Sequence, residues 1–351
     1  MVKVPIVPVA VALVAVGCKP DLTDRLSLID GPRILAVQSQ PAEAAPKAQV
    51  MLTALMADPT GTVTSAAIDW AFCNQPKPLA ELGTVSPLCL QTQGAWFTDV
   101  GNGVEVQCAI PDIGCREFGP SVPVAQAGQP PGRPVDPDTT GGYYQPVRLW
   151  AAQDGLIAIG ETRLSCGLAG GTAAQSTQFA KQYLPNTNPA VAMLVAQSMT
   201  SWSADDSDAG ASNNVAAVGS AQPLQVSWAT CPVVGNPPSC GDAVCGPDPS
   251  ETAATCKSDC PAQPCTGAEE YLNLDLASAT LVIHREGMQV AWYATAGTFD
   301  DDSTGRDQSD LTTSSDNVWH APSQPGPVHL WVVLQDDRGG SGWESYTISV
   351  Q

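Results

Sequence analysis

Positive charge is scarce in this 351-residue chain: 15 Lys and Arg stand against 35 Asp and Glu, a formal net charge of −20. That balance opposes binding to nucleic acid and adsorption to anionic lipid headgroups. Histidine is nearly absent, with His284, His320 and His329 the full set. There is no Gly-x-Ser-x-Gly elbow, no His-Glu-x-x-His pair and no Gly-rich phosphate loop. The reading from composition is therefore non-catalytic. An exported hydrolase with a dispersed site is the alternative, since triad members have no fixed order along a chain. After the first seventeen residues no apolar run reaches the ~20 residues of a membrane-spanning helix. Charged residues make up only 14%, while Gly and Pro number 31 each, so turns are frequent and helices few.

The N-terminus does carry an apolar run. Val4 to Gly17 is almost unbroken, Lys3 is the one charge before it, and Cys18 closes it ahead of Lys19-Pro20-Asp21. Fourteen residues are too few for an anchor helix, and Pro5 and Pro8 break the first half. The order of basic start, apolar core, Gly17 and Cys18 resembles a bacterial lipoprotein signal peptide, with Ala15 where Leu is commonest in the lipobox. The resemblance implies cleavage before Cys18 and acylation of its thiol, each buried methylene contributing ~0.8 kcal/mol to membrane attachment. Lys19 rather than Asp follows, which in such lipoproteins implies the outer membrane. Residues 18–30 read as a tether, 12 residues beyond the cysteine reaching about 40 Å at ~3.5 Å each.

Twelve cysteines in an exported chain read as a disulfide framework. With Cys18 in the anchor eleven are left, so at least one thiol lacks an intramolecular partner. Cys73 with Cys89 and Cys108 with Cys115 would each staple a local loop. Cys166, Cys231 and Cys265 then remain, with Cys231–Cys265 and Cys166–Cys231 as competing pairs. Cys240, Cys245, Cys256 and Cys260 lie in a segment too short for an apolar core, so two disulfides among them are expected. A zinc site is disfavoured by the C-x4-C and C-x3-C spacings and by an oxidising compartment. This segment resembles the Cys-Gly-Asp-Gly-x-Cys repeats of exported proteins from myxobacteria, with Ala243 and Lys257 departing from the common form.

Two halves of the chain echo each other. Arg33–Ser39 matches Ala192–Ser198, and Val50–Leu55 matches Leu224–Ala229. Ala67–Phe72 matches Gln289–Ala294, and Pro146–Trp150 matches Pro327–Trp331, all in the same order. Each piece is a short β-type run bounded by turn residues. The two-residue period puts Val226 with Trp228, and Val290 with Trp292, on one face. Trp70 and Trp292 are then expected as core anchors. Near the C-terminus, Val328–Leu334 reads as a strand, Asp336-Asp337-Arg338-Gly339-Gly340 as a turn and Trp343–Val350 as the closing strand. That hairpin resembles the end of PKD-type and cadherin-like immunoglobulin-fold domains. With Ala294–Phe299 and Trp319–Pro322 it is similar to bacterial surface Ig-like modules, which implies spacer, adhesive or docking roles.

The expected architecture is all-β: two Ig-like β-sandwiches in tandem, at residues 31–165 and 188–351. A connector at 166–187 holds one helix, Ala173–Leu184, capped by Thr172 and stopped by Pro185. A cysteine-rich insertion at 236–264 interrupts the second sandwich. Asp300, Asp301, Asp302, Asp307 and Asp310 are the metal candidates, as oxygen ligands for calcium; otherwise they are a solvated acidic loop. No other cofactor is expected. The expected role is display, spacing or protein contact at the envelope, with the membrane and other envelope proteins as partners. A subunit of an envelope secretion or motility complex is a further alternative.

Overall fold

The computed structural model describes residues 26–77, 84–121, 138–196, 200–205, 214–231 and 265–351. Cys18 and the cluster Cys240, Cys245, Cys256 and Cys260 lie outside the described residues. The chain is all-β, two Ig-like sandwiches in tandem. No helix among the described residues is long and apolar enough to cross a membrane.

The first sandwich is built from β1 (Arg33–Gln40), β2 (Glu43–Ala44), β3 (Gln49–Asp58), β4 (Gly61–Thr62), β5 (Ile68–Cys73), β6 (Phe97–Asn102), β7 (Glu105–Ala109), β8 (Tyr144–Ala151) and β9 (Leu156–Leu164). One sheet runs β1-β3 with β4 and β7 on β3; the other runs β2-β9-β8-β5-β6. A one-turn helix α1 (Gly114–Glu117) follows β7, and α2 (Ala173–Gln182) begins the passage to the second half.

The second sandwich comprises β10 (Met193–Ala196), β11 (Thr200–Trp202), β12 (Val215–Ala216), β13 (Ala221–Ser227), the hairpin β14 (Glu270–Asp275) and β15 (Thr280–Arg285), then β16 (Met288–Ala294), β17 (Thr298–Phe299), β18 (Ser303–Arg306), β19 (Ser314–His320), β20 (Gly326–Asp336) and β21 (Ser341–Val350). Its sheets run β11-β10-β13-β19-β17 and β12-β21-β20-β16-β18. The four echoed segments fall on β1 and β10, β3 and β13, β5 and β16, and β8 and β20. Those pairs hold equivalent places. β1–β3 and β10–β13 are antiparallel neighbours in one sheet, and β5–β8 and β16–β20 in the other. In both halves a short strand also runs parallel to the last one, β2 on β9 and β12 on β21.

Both interiors are filled by side chains. Trp70, Phe72, Val147 and Leu149 centre the first, and Trp292, Trp319, Val226 and Trp228 the second. Two of the core indoles donate their N–H groups across the interior, Trp70 Nε1 to Gly103 O at 2.7 Å and Trp292 Nε1 to Thr304 Oγ1 at 2.9 Å, whereas the buried Trp228 Nε1 has no partner.

The helix ends two residues earlier than the sequence predicts. Thr172 and Gln175 form a reciprocal capping box, and Tyr183 is already extended. Leu184 precedes Pro185, where helical backbone is disfavoured, so the turn before it unwinds. Residues 26–30 also differ from the expected free tether. Ser27 and Ile29 are buried, and the segment lies along β16: Ile29 N donates to Ala294 O at 2.9 Å and Ala294 N to Ser27 O at 2.8 Å.

The two sandwiches join through the outward faces of one sheet from each. On β3, Val50, Leu52, Ala54 and Met56 fill the first core, while Leu55 and Ala57 point the other way. On β20, Val328, Leu330, Val332 and Leu334 fill the second core, while Trp331 and Val333 point out. Leu55, Ala57, Leu35 and Ile29 meet Trp331 and Val333 in a third apolar cluster, the seam between the sandwiches. Trp331 Nε1 crosses it to donate to Thr62 Oγ1 at 2.8 Å.

Candidate functional site

The densest polar chemistry among the described residues lies at one end of that seam. It starts from the β20–β21 turn. Asp336 Oδ1 accepts from Arg338 N at 2.9 Å and Gly340 N at 2.8 Å, closing the turn on its own side chain. Gly339 takes φ 90°, a left-handed conformation that favours glycine. A Cβ on Gly340 would sit 2.2 Å from Asp336 Oδ2, so the turn needs glycine there too. This tight turn drives Arg338 inward to 0% exposure. Its Nε donates to Glu286 Oε1 at 2.5 Å, Nη2 to Glu269 Oε2 at 2.8 Å and Nη1 to Leu184 O at 2.9 Å. The Tyr271 ring lies under the guanidinium, 4.7 Å from its centroid.

The network continues into the first sandwich. Asn186 Nδ2 donates to Asp336 Oδ1 at 3.1 Å, and Asn186 N donates to Glu43 Oε2 at 3.0 Å. Glu43, on β2, also accepts from Tyr183 Oη at 2.6 Å, Ser165 Oγ at 3.0 Å and Arg163 Nε at 3.2 Å. Arg163, on β9, donates to Thr140 Oγ1 at 2.8 Å and Tyr144 Oη at 2.7 Å. A continuous chain of charge-assisted hydrogen bonds thus links both sandwiches and the connector.

Burial pushes Glu286 well above the usual carboxylate range, and Glu269 and Asp336 move up for the same reason. Burial opposes the charge on Arg338, but Glu286, Tyr183, Glu269 and Asp336 outweigh it and hold the guanidinium protonated. The chemistry is that of a buried ionic junction. None of these residues stands out in the sequence as a site. Arg338 sits in a turn whose Asp and Gly neighbours read as solvent-facing, and Glu43 and Arg163 are 120 positions apart.

The cysteines form three described disulfides: Cys73–Cys89, Cys115–Cys166 and Cys231–Cys265. The expected Cys108–Cys115 pair is corrected, and Cys166–Cys231 does not form. Cys115 rides on α1, which is folded back so that it meets Cys166 just past β9, across 51 positions. Cys108 is left as a free thiol, half-buried on β7. Burial raises its pKa to about 11. Alkylation at pH 8 is therefore expected to be roughly tenfold or more slower in the folded protein than in denaturant, since little thiolate is present. Peptide mapping after timed iodoacetamide labelling checks this; equal rates at Cys108 in both states would contradict it.

The five candidate aspartates are not drawn into one ligand set, and among the described residues no three His, Cys, Asp or Glu side chains converge as a metal site. Asp300, Asp301 and Asp302 are exposed between β17 and β18. Asp307 closes its own turn, accepting from Ser309 N at 2.8 Å and Oγ at 2.6 Å. Asp310 pairs with Arg306 at 3.6 Å. Asp300 Oδ1 is 2.7 Å from His320 Nε2, an exposed pair. His284 Nδ1 meets Gln308 Oε1 at 3.4 Å and His329 Nδ1 meets Thr347 Oγ1 at 3.2 Å. Among the described residues no serine hydroxyl is hydrogen-bonded to any of the three rings. A concavity of about 590 Å³ lies along strands β10, β13 and β19, with Val195, Gln225 and Val318 in its lining and Asp300, Asp301 and Asp316 beside them.

No protein-family model matches this chain, and no curated protein matches it. Among solved structures, it is similar to the fibronectin(III)-like modules of CbhA from Clostridium thermocellum, at 10% identity over 90% of this chain and 94% of that one, with TM-score 0.20. It is also similar to the adhesin InvE of Yersinia pseudotuberculosis, at 12% identity over 90% of this chain and 58% of that one, with TM-score 0.21. Dimeric latent PorU from Porphyromonas gingivalis matches at 9% identity over 92% of this chain, with TM-score 0.20, and the chain spans 24% of that protein's length. The Ig-like sandwiches are defined by their strand ladders.

Proposed function

We propose that this chain is a lipid-anchored cell-envelope module that works without catalysis, holding a rigid two-sandwich body at the outer membrane for display, spacing or contact with other envelope proteins. The observation that carries the reading is the seam. Tandem sandwiches move independently unless their interface is large and apolar, and here an apolar cluster and a buried ionic junction fix them together. Rigidity across two modules suits a spacer or a presenting arm. The anchor rests on the Cys18 segment, because the acidic chain has no electrostatic route to an anionic bilayer.

Detergent phase partitioning of the protein expressed in a bacterial host tests the anchor. The wild type is expected in the detergent phase, with its leader removed and a mass that includes acyl chains on Cys18, and Cys18→Ser with no acyl mass and its leader retained. A wild type whose mass carries no acyl chains on Cys18 would defeat the reading.

A further inference from the structure

The ionic junction holds more buried acid than base. Arg163 is matched by Glu43. Arg338 alone faces Glu286, Glu269 and Asp336, contacting the first two through its guanidinium and the third through its backbone N–H. One guanidinium neutralises one carboxylate, so full ionisation leaves surplus negative charge where water is sparse. The other groups facing the cluster do not relieve this. β14 contributes the Tyr271 ring, the connector the Tyr183 hydroxyl and Asn186 amide, and the first sandwich Tyr144 beside Arg163. Arg285 adjoins Glu286 along the chain, but its Nε and Nη2 have no partner and its charge is felt at Asp310. Asp337, next to Asp336, adds a further negative charge, its Oδ2 held by Gly287 N and Gln308 Nε2.

We propose that the seam is a proton-operated latch: docking of the two sandwiches takes up a proton into the carboxylate cluster around Arg338, so acidification tightens the seam and alkalinisation loosens it. Burial shifts all three carboxyls upward, in the same sense. A carboxyl whose pKa is higher in the docked state contributes stability that is full below its undocked value. That stability is lost as pH rises through the docked value. The window therefore opens near pH ~4.3 and extends upward. Asp58, Asp275, Asp307 and Asp310 shift downward, held by hydrogen bonds in their own turns, and act only below that window. The latch needs only the docked sandwiches and is independent of acylation at Cys18.

The test is denaturant unfolding of the full chain from pH 5 to pH 8, with small-angle X-ray scattering at both ends. The wild type is expected to lose up to about tenfold in its folding equilibrium constant per pH unit, the value for one proton, and to scatter as a more open pair at pH 8. Glu286→Gln is expected to flatten the slope to under threefold per unit and keep the pair compact. If Glu286→Gln does not fold, Glu269→Gln carries the same expectation. A wild type that is flat in pH, or a slope unchanged in both variants, overturns the latch. So does a pH slope with identical scattering, which would place the proton's effect inside the second sandwich.

Discussion

Arg338→Met is expected to destabilise the protein by about 3–5 kcal/mol, the usual cost of removing one partner from a buried ionic cluster. Methionine can occupy much of the space over the Tyr271 ring but donates nothing. Glu286 and Glu269 then lose their charged donor, and Leu184 O loses its N–H. For a chain of this size the loss corresponds to a fall in Tm on the order of 10 °C. Arg306→Met is the control. Arg306 makes two longer, part-exposed ion pairs, at 3.6 Å to Asp310 and 3.5 Å to Asp316, each worth ~1 kcal/mol or less. A triple change, Arg338→Met with Glu286→Leu and Glu269→Leu, is expected to recover much of the loss, because the penalty comes from stranded charge. Calorimetry of the three proteins decides. Equal effects of Arg338→Met and Arg306→Met would mean that the buried network does not hold the seam.

The fold was legible because its signals are local. Gln289-Val290-Ala291-Trp292 alternates with the strand period, and both Val290 and Trp292 are fully buried on the inner face. The last hairpin announces itself through two glycines between apolar runs. The seam was less legible, although one signal was present. Val328-His329-Leu330-Trp331-Val332-Val333-Leu334 is apolar at nearly every position, where a strand with one wet face would alternate. Such a run asks for cover on both sides, and β20 has it. Gln49–Asp58 carries the same pattern on the facing strand, with apolar side chains of both parities. The disulfides divided along the same line. Cys73–Cys89 closes 16 positions, within reach of a local argument, whereas Cys115–Cys166 depends on where α1 folds back. Charge pairing was hidden for a related reason. Glu43 sits on a two-residue edge strand and Arg163 near the end of β9, and their adjacency, β2 parallel to β9, exists only in the assembled sheet.

Trp331→Ala is expected to separate the unfolding of the two sandwiches. Trp331 is fully buried, yet it belongs to neither sandwich interior; its neighbours Leu35, Leu55 and Ala57 come from the other half of the chain. Truncating a buried tryptophan costs about 3–5 kcal/mol, including the cavity it leaves. Here that cost falls on the coupling between halves, and residual contacts cannot easily close a gap between two stiff sheets. The expected denaturation profile changes from one transition to two, each with a smaller m-value, because m follows the surface exposed in each step. Trp292→Ala makes the contrast. Trp292 sits in the second core, so its loss is expected to lower the stability of that sandwich and leave the seam's apolar cluster in place. Trp331→Phe keeps most of the apolar area and loses only the hydrogen bond to Thr62, so a shift of about 1 kcal/mol with a single transition is expected. Urea titrations followed by far-ultraviolet circular dichroism and by tryptophan fluorescence measure this. A single coincident transition in Trp331→Ala, with the wild-type m-value, would show that the ionic junction alone couples the halves.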